Sequence, residues 1–77
     1  MTCKTLGENI RAFRIAEGLT QIELGKKCGM ADSQIGTYER GEVVPKEKSI
    51  RRIAEALGVS YEIITTVNER GGQNENY

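Results

Sequence analysis

Apolar residues recur along this chain at three- and four-residue intervals, and no stretch alternates with period two, so the pattern predicts helices and no strands. Five helices follow from the start and stop signals. The first is expected over about Thr5 to Glu17, with Leu6, Ile10 and Phe13 on its inner face. Thr5 and Glu8 form a Thr-x-x-Glu capping box before it, and Gly18 stops it. Thr20 caps the second, Glu23 completes another such box, and Gly29 ends it after Cys28. The third runs from about Asp32 to Arg40 and stops at Gly41. Glu42 to Pro45 is an extended loop, because the residue before a proline avoids helical geometry. The fourth spans about Lys46 or Glu47 to Leu57 with Ile50, Ile53, Ala54 and Leu57 facing inward, and Gly58 closes it. Ser60 caps a fifth that carries Ile63, Ile64 and Val67.

The segment Gln21 to Tyr38 is the most informative. Two short helix patterns meet at Gly29, with Leu24, Cys28, Met30, Ile35 and Tyr38 as their shared apolar face, and Gly25 lies four residues before the turn. Two helices joined in this way make a helix-turn-helix, and the second helix of such a unit can lie in the DNA major groove.

Composition narrows the picture. Seventy-seven residues make at most one domain, here residues 1–68, followed by a tail over 69–77 that is rich in Gly, Asn and Gln and expected to be disordered. With no Trp and one Phe, the core must come from short aliphatic faces. No apolar run approaches the ~20 residues that span a bilayer, and Met1 to Lys4 lack a signal-peptide stretch, which together predict a cytoplasmic protein. The absence of His, with only Cys3 and Cys28 as thiols, argues against a metal site, and no nucleophile–base set or phosphate loop suggests an enzyme or a cofactor. Cys28 reads as a small buried hydrophobe. The formal net charge is zero, whereas nucleic-acid binders usually carry a basic footprint; a local patch can still attract phosphate.

In the order and spacing of several segments the chain resembles the phage-repressor-like, or XRE, helix-turn-helix family. These segments are Ile10 to Arg14, Gly18 to Gln21, Glu23-Leu24, Ile35, Tyr38 to Gly41, Pro45 and Ile53 to Ser60. The resemblance covers about Leu6 to Ile64. It implies an all-α, compact five-helix bundle with a central helix-turn-helix. It also implies a sequence-specific transcription regulator, a repressor, that binds double-stranded DNA as a homodimer. By the same resemblance Gln21 contacts phosphate at the start of the second helix, and the exposed face of the third helix reads bases. Arg40 and the start of the fourth helix flank the backbone, and Arg14 matches an arginine that pairs with Glu39. The same scaffold could instead bind protein, as an antitoxin or anti-repressor does, or answer to a regulatory protein partner.

The individual residues fit this frame to different degrees. Gln21 can donate to a phosphate oxygen beside free helix N–H groups. Ser33, Gln34 and Thr37 fall on the outer face of the third helix. Gln can bond adenine bidentately, and a Thr methyl can pack on thymine. Asp32 stands where phosphate would repel it; it reads as a displaced cap or a dipole partner, or as an acceptor for cytosine N4. The family usually has Ser or Thr one position earlier, at Ala31, so base preference is left open. Gly36 costs a helix about 1 kcal/mol relative to alanine. It marks either close approach of DNA or a tolerated weakness. Arg14 is a candidate for both the Glu39 pair and a phosphate. Lys46 and Lys48 are the better phosphate candidates in a basic cluster with Arg51 and Arg52. Ile63, Ile64 and Val67 exceed the needs of a core and form the candidate dimer interface, while Ile22 is apolar where the family tends to be polar.

Overall fold

A computed structural model describes residues 3–66, with side chains placed from residue 5. The described chain is wholly helical among its regular elements: α1 (Cys3–Ala16), α2 (Gln21–Cys28), α3 (Asp32–Glu39), α4 (Glu47–Leu57) and α5 (Tyr61–Ile64). None of these helices is long and apolar enough to cross a membrane. Val67 and the tail expected over 69–77 lie outside the described residues.

The aliphatic faces read from the sequence meet in one core. Leu6 and Ile10 of α1, Leu24 and Cys28 of α2, Ile35 and Tyr38 of α3, and Ile50, Ile53, Ala54 and Leu57 of α4 are all buried. Phe13, Leu19 and Met30 pack half-buried around them. Each fully buried Leu or Ile among them contributes roughly 1.5–3 kcal/mol.

Ile64 belongs to this core and is fully buried, so its assignment to a dimer interface is corrected. The cause is tertiary. The Asn9 side-chain amide in α1 donates to the carbonyls of Ile64 at 2.8 Å and Thr66 at 2.9 Å. That clamp holds the end of α5, only four residues long, against α1, and Ile64 faces the core. Of the two isoleucines of α5, Ile63 stays exposed, at 51%.

The helix ends are set locally. The Thr20 hydroxyl accepts from Glu23 N–H at 3.0 Å while the Glu23 carboxylate accepts from Thr20 N–H at 2.8 Å, completing the box that fixes the start of α2. Ser60 caps α5 through Ile63 N–H. The expected box at Thr5 does not mark a helix start, because α1 begins two residues earlier and Thr5 lies inside it. Asp32 is likewise not a cap: Ala31 holds the N-cap position without a side-chain bond, and Asp32 is the first residue of α3. There its charge favours the positive end of the helix dipole.

Two glycines set the spacing of the helices. A Cβ on Gly25 would stand 2.5 Å from the Met30 carbonyl oxygen, so the glycine admits the backbone of the turn between α2 and α3. A Cβ on Gly7 would collide with the carbonyl oxygens of Tyr38 and Glu39, which lets α1 pack directly on the end of α3.

Candidate nucleic-acid interface

The site is built outward from one buried carboxylate. Glu39, the last residue of α3, has a side chain only 3% exposed, and Arg14 of α1 approaches it at 13% exposure. Arg14 donates from Nε to Glu39 Oε2 at 2.6 Å and from Nη2 to Oε1 at 3.1 Å. Its third nitrogen, Nη1, donates to the Leu19 carbonyl at 2.8 Å. The hydrogen bond to Glu39 raises the guanidinium above its ordinary pKa against the opposing effect of burial. All three nitrogens of Arg14 are therefore engaged inside the protein.

Glu39 is also linked to the surface through Gln21. The Gln21 amide donates to Oε1 at 3.0 Å, which fixes the first side chain of α2 against the end of α3. One amide hydrogen of Gln21 remains beyond this bond, since the group carries two. Gln21 is half-buried, at the boundary between this network and solvent.

Gly36 supplies the floor of the surface beside it. A Cβ there would lie 3.1 Å from Arg40 Nη1 and 3.4 Å from both terminal atoms of Gln21. The guanidinium and the amide thus converge on the one position of α3 that has no side chain. Arg40 is the C-cap of α3 and is exposed, with Nε donating to Glu42 Oε2 at 2.9 Å and Nη2 to Oε1 at 3.3 Å.

Along the outer face of α3, Asp32, Ser33 and Gln34 are exposed and Thr37 is half-buried. The Thr37 hydroxyl donates to the Ser33 carbonyl at 2.9 Å, and the Gln34 amide donates to the Tyr38 hydroxyl at 2.8 Å. Lys46 and Lys48 are exposed at the start of α4, Lys46 as its N-cap. Arg51 is drawn elsewhere: it pairs with Glu47 at 2.9 Å and stacks over the Tyr61 ring with its guanidinium carbon 4.2 Å from the ring centre. Away from the site, burial raises the Cys28 thiol above its ordinary pKa, and Sγ donates to the Leu24 carbonyl.

The helix-turn-helix family model HTH_3 matches residues 10–64. The chain belongs to this family. A similar relative is the uncharacterized HTH-type transcriptional regulator y4dJ of Sinorhizobium fredii, 34% identical over 67 residues, which cover 86% of this chain and 87% of that protein. The immunity repressor of Bacillus phage phi105 is 32% identical over 60 residues, covering 78% of this chain and 42% of the repressor. Among solved structures, a hypothetical transcription factor from Neisseria superposes with a TM-score of 0.85 at 26% identity, covering 96% of this chain and 85% of the other. The P22 c2 repressor, solved in complex with a synthetic operator, superposes with a TM-score of 0.75 at 30% identity, covering 82% and 96%.

Several members of this HTH_3 surface escaped the sequence. The Gln21–Glu39 bond joins residues eighteen apart, and nothing local points to it. The Arg40–Glu42 pair was accessible in principle, since residues two apart across a glycine stop can meet. Outside that network, Val43 and Val44 are exposed at 49% and 60% in the loop after α3, and they carried no periodicity that would single them out.

Proposed function

We propose that this HTH_3 protein represses transcription by laying α3 in the major groove of an operator, two copies binding two half-sites. The class of function, a sequence-specific DNA-binding transcription regulator, follows from the family. The observation that supports the pose is the convergence of Gln21 and Arg40 over Gly36, next to the exposed face of α3. Both groups can donate to phosphate, and phosphate contacts fix register without reading sequence.

In this pose the Gln21 amide hydrogen left free by Glu39 meets one phosphate at the N-terminus of α2, where unpaired N–H groups favour an anion. Arg40, beside Gln21 over Gly36, meets the same stretch of backbone. Lys46 and Lys48 hold a second strand at the start of α4, another helix N-terminus. Arg14 acts from inside, by holding the carboxylate that orients Gln21. Ser33, Gln34 and Thr37 read base edges; with its hydroxyl proton given to Ser33, Thr37 presents its methyl to a thymine. Asp32 can accept from cytosine N4. Pairing of the copies draws on Ile63, the apolar residue that α5 leaves exposed, and on Val67. Control works through occupancy of the promoter rather than through chemistry on a substrate.

Selection of bound duplexes from a random DNA pool tests this reading. Recovery of one motif with two-fold symmetry is the expected result. A pool that stays random under stringent washing would refute sequence reading and leave the scaffold as a protein-interaction module.

A further inference from the structure

Arg40 does not wait for DNA with an empty fork. Its Nε and Nη2 are both given to the two oxygens of Glu42, at 2.9 and 3.3 Å, in the side-by-side arrangement that a phosphate would also accept. The third nitrogen, Nη1, lies over Gly36 beside the Gln21 amide. The carboxylate therefore occupies the place on the guanidinium that a backbone phosphate would take.

The pair is built to exchange. Both side chains are more than half exposed, 58% for Arg40 and 56% for Glu42, so water and salt screen it and it adds little to stability. Glu42 follows the C-terminus of α3, where the helix dipole disfavours an anion, so the helix end gives the carboxylate no support. An exposed glutamate is ionised at neutral pH in any case, and the hydrogen bond from Arg40 holds this carboxyl further below its ordinary pKa.

We infer that Glu42 is an internal stand-in for phosphate that competes with DNA for Arg40 and so sets the affinity and salt dependence of backbone binding. This rests on the reading of Arg40 as a phosphate contact. When DNA docks, Arg40 releases the carboxylate and takes a phosphate, and Glu42 is left close to the backbone as a like charge. The free carboxylate gathers a cation from solution as the phosphate loses one. Arg40 thus contributes less net counterion release than an unpaired arginine would. The zero net charge of the chain has a local counterpart here, at a residue that should drive binding.

Phosphate contacts carry no sequence information, so the test needs no operator. Fluorescence anisotropy with a labelled random-sequence 20-base-pair duplex, titrated at several salt concentrations, compares wild type, Glu42→Gln, Arg40→Gln and the double variant. Glu42→Gln is expected to tighten binding roughly two- to fivefold, the range set by an exposed ion pair. It should also steepen the slope of log K against log salt by up to about 0.9 per subunit. In the Arg40→Gln background the same change should have less than half that effect. Equal tightening in both backgrounds would make Glu42 a diffuse repulsive charge and overturn the inference, as would no tightening at all. If wild type fails to bind the duplex even at low salt, the DNA-binding reading falls and takes this inference with it. Circular dichroism melts confirm that each variant is folded.

Discussion

Removing Arg14 should nearly unfold this domain, although the lost group is a charged side chain at the edge of the core. Arg14→Ala takes two hydrogen bonds from Glu39 and one from the Leu19 carbonyl. The Glu39 side chain is only 3% exposed, so its carboxylate would stay dehydrated with the Gln21 amide as its remaining partner. Stranding one member of a buried pair costs about 3–5 kcal/mol, whereas an exposed pair is worth about 0–1 kcal/mol. The exposures place this pair in the first class. For a domain of this size 1 kcal/mol moves Tm by about 4–8 °C, so a fall of at least ~12 °C is expected. Urea unfolding followed by circular dichroism gives the free energy directly. Arg14→Met with Glu39→Leu should recover most of the loss, because a buried pair replaced by packed apolar groups is often neutral. That recovered protein should still bind DNA more weakly, since Gln21 has lost the acceptor that orients it. A cost below ~1 kcal/mol for Arg14→Ala would refute the reasoning and show that water reaches Glu39.

Other outcomes follow from the same geometry. Ile64→Asp buries an unpaired charge and should abolish cooperative unfolding by circular dichroism, whereas Ile63→Asp should leave the fold intact and lower self-association in sedimentation. Gly25→Ala forces a Cβ to within 2.5 Å of the Met30 carbonyl and should destabilise by about 1–3 kcal/mol despite better helix propensity. Gly36→Ala meets only the flexible tips of Arg40 and Gln21. It should stabilise by up to about 1 kcal/mol in urea melts while weakening DNA binding. Thr37→Ala should relax preference at one or two base positions, and Gln21→Ala should weaken all sites alike; binding to single-base variants of the selected site separates the two, and the reverse pattern would misplace the recognition helix.

The five helices, the helix-turn-helix and nearly all of the core were legible in the sequence, because each rests on short-range rules. Thr20 and Glu23 cap a helix three residues apart, and Ile50, Ile53, Ala54 and Leu57 share a face by helical spacing alone. Gly18, Gly29, Gly41 and Gly58 stand at positive φ, a conformation that glycine adopts without cost. Tertiary structure decided the rest. Ile63 and Ile64 are adjacent and chemically identical, and the packing of α5 on the rest of the bundle, with the Asn9 clamp from α1, decides that Ile64 is the buried one. Gly36 looked like a weakness or a DNA approach within its own helix; that Gln21 of α2 lies beside Arg40 over it could not be read locally. Arg14 was a candidate for phosphate until folding dehydrated Glu39, after which the strongest available partner for its charge lay inside the protein. Periodicity tells which side of a helix turns inward, but the energy of a charge depends on what surrounds it, and those surroundings come from residues distant in the chain.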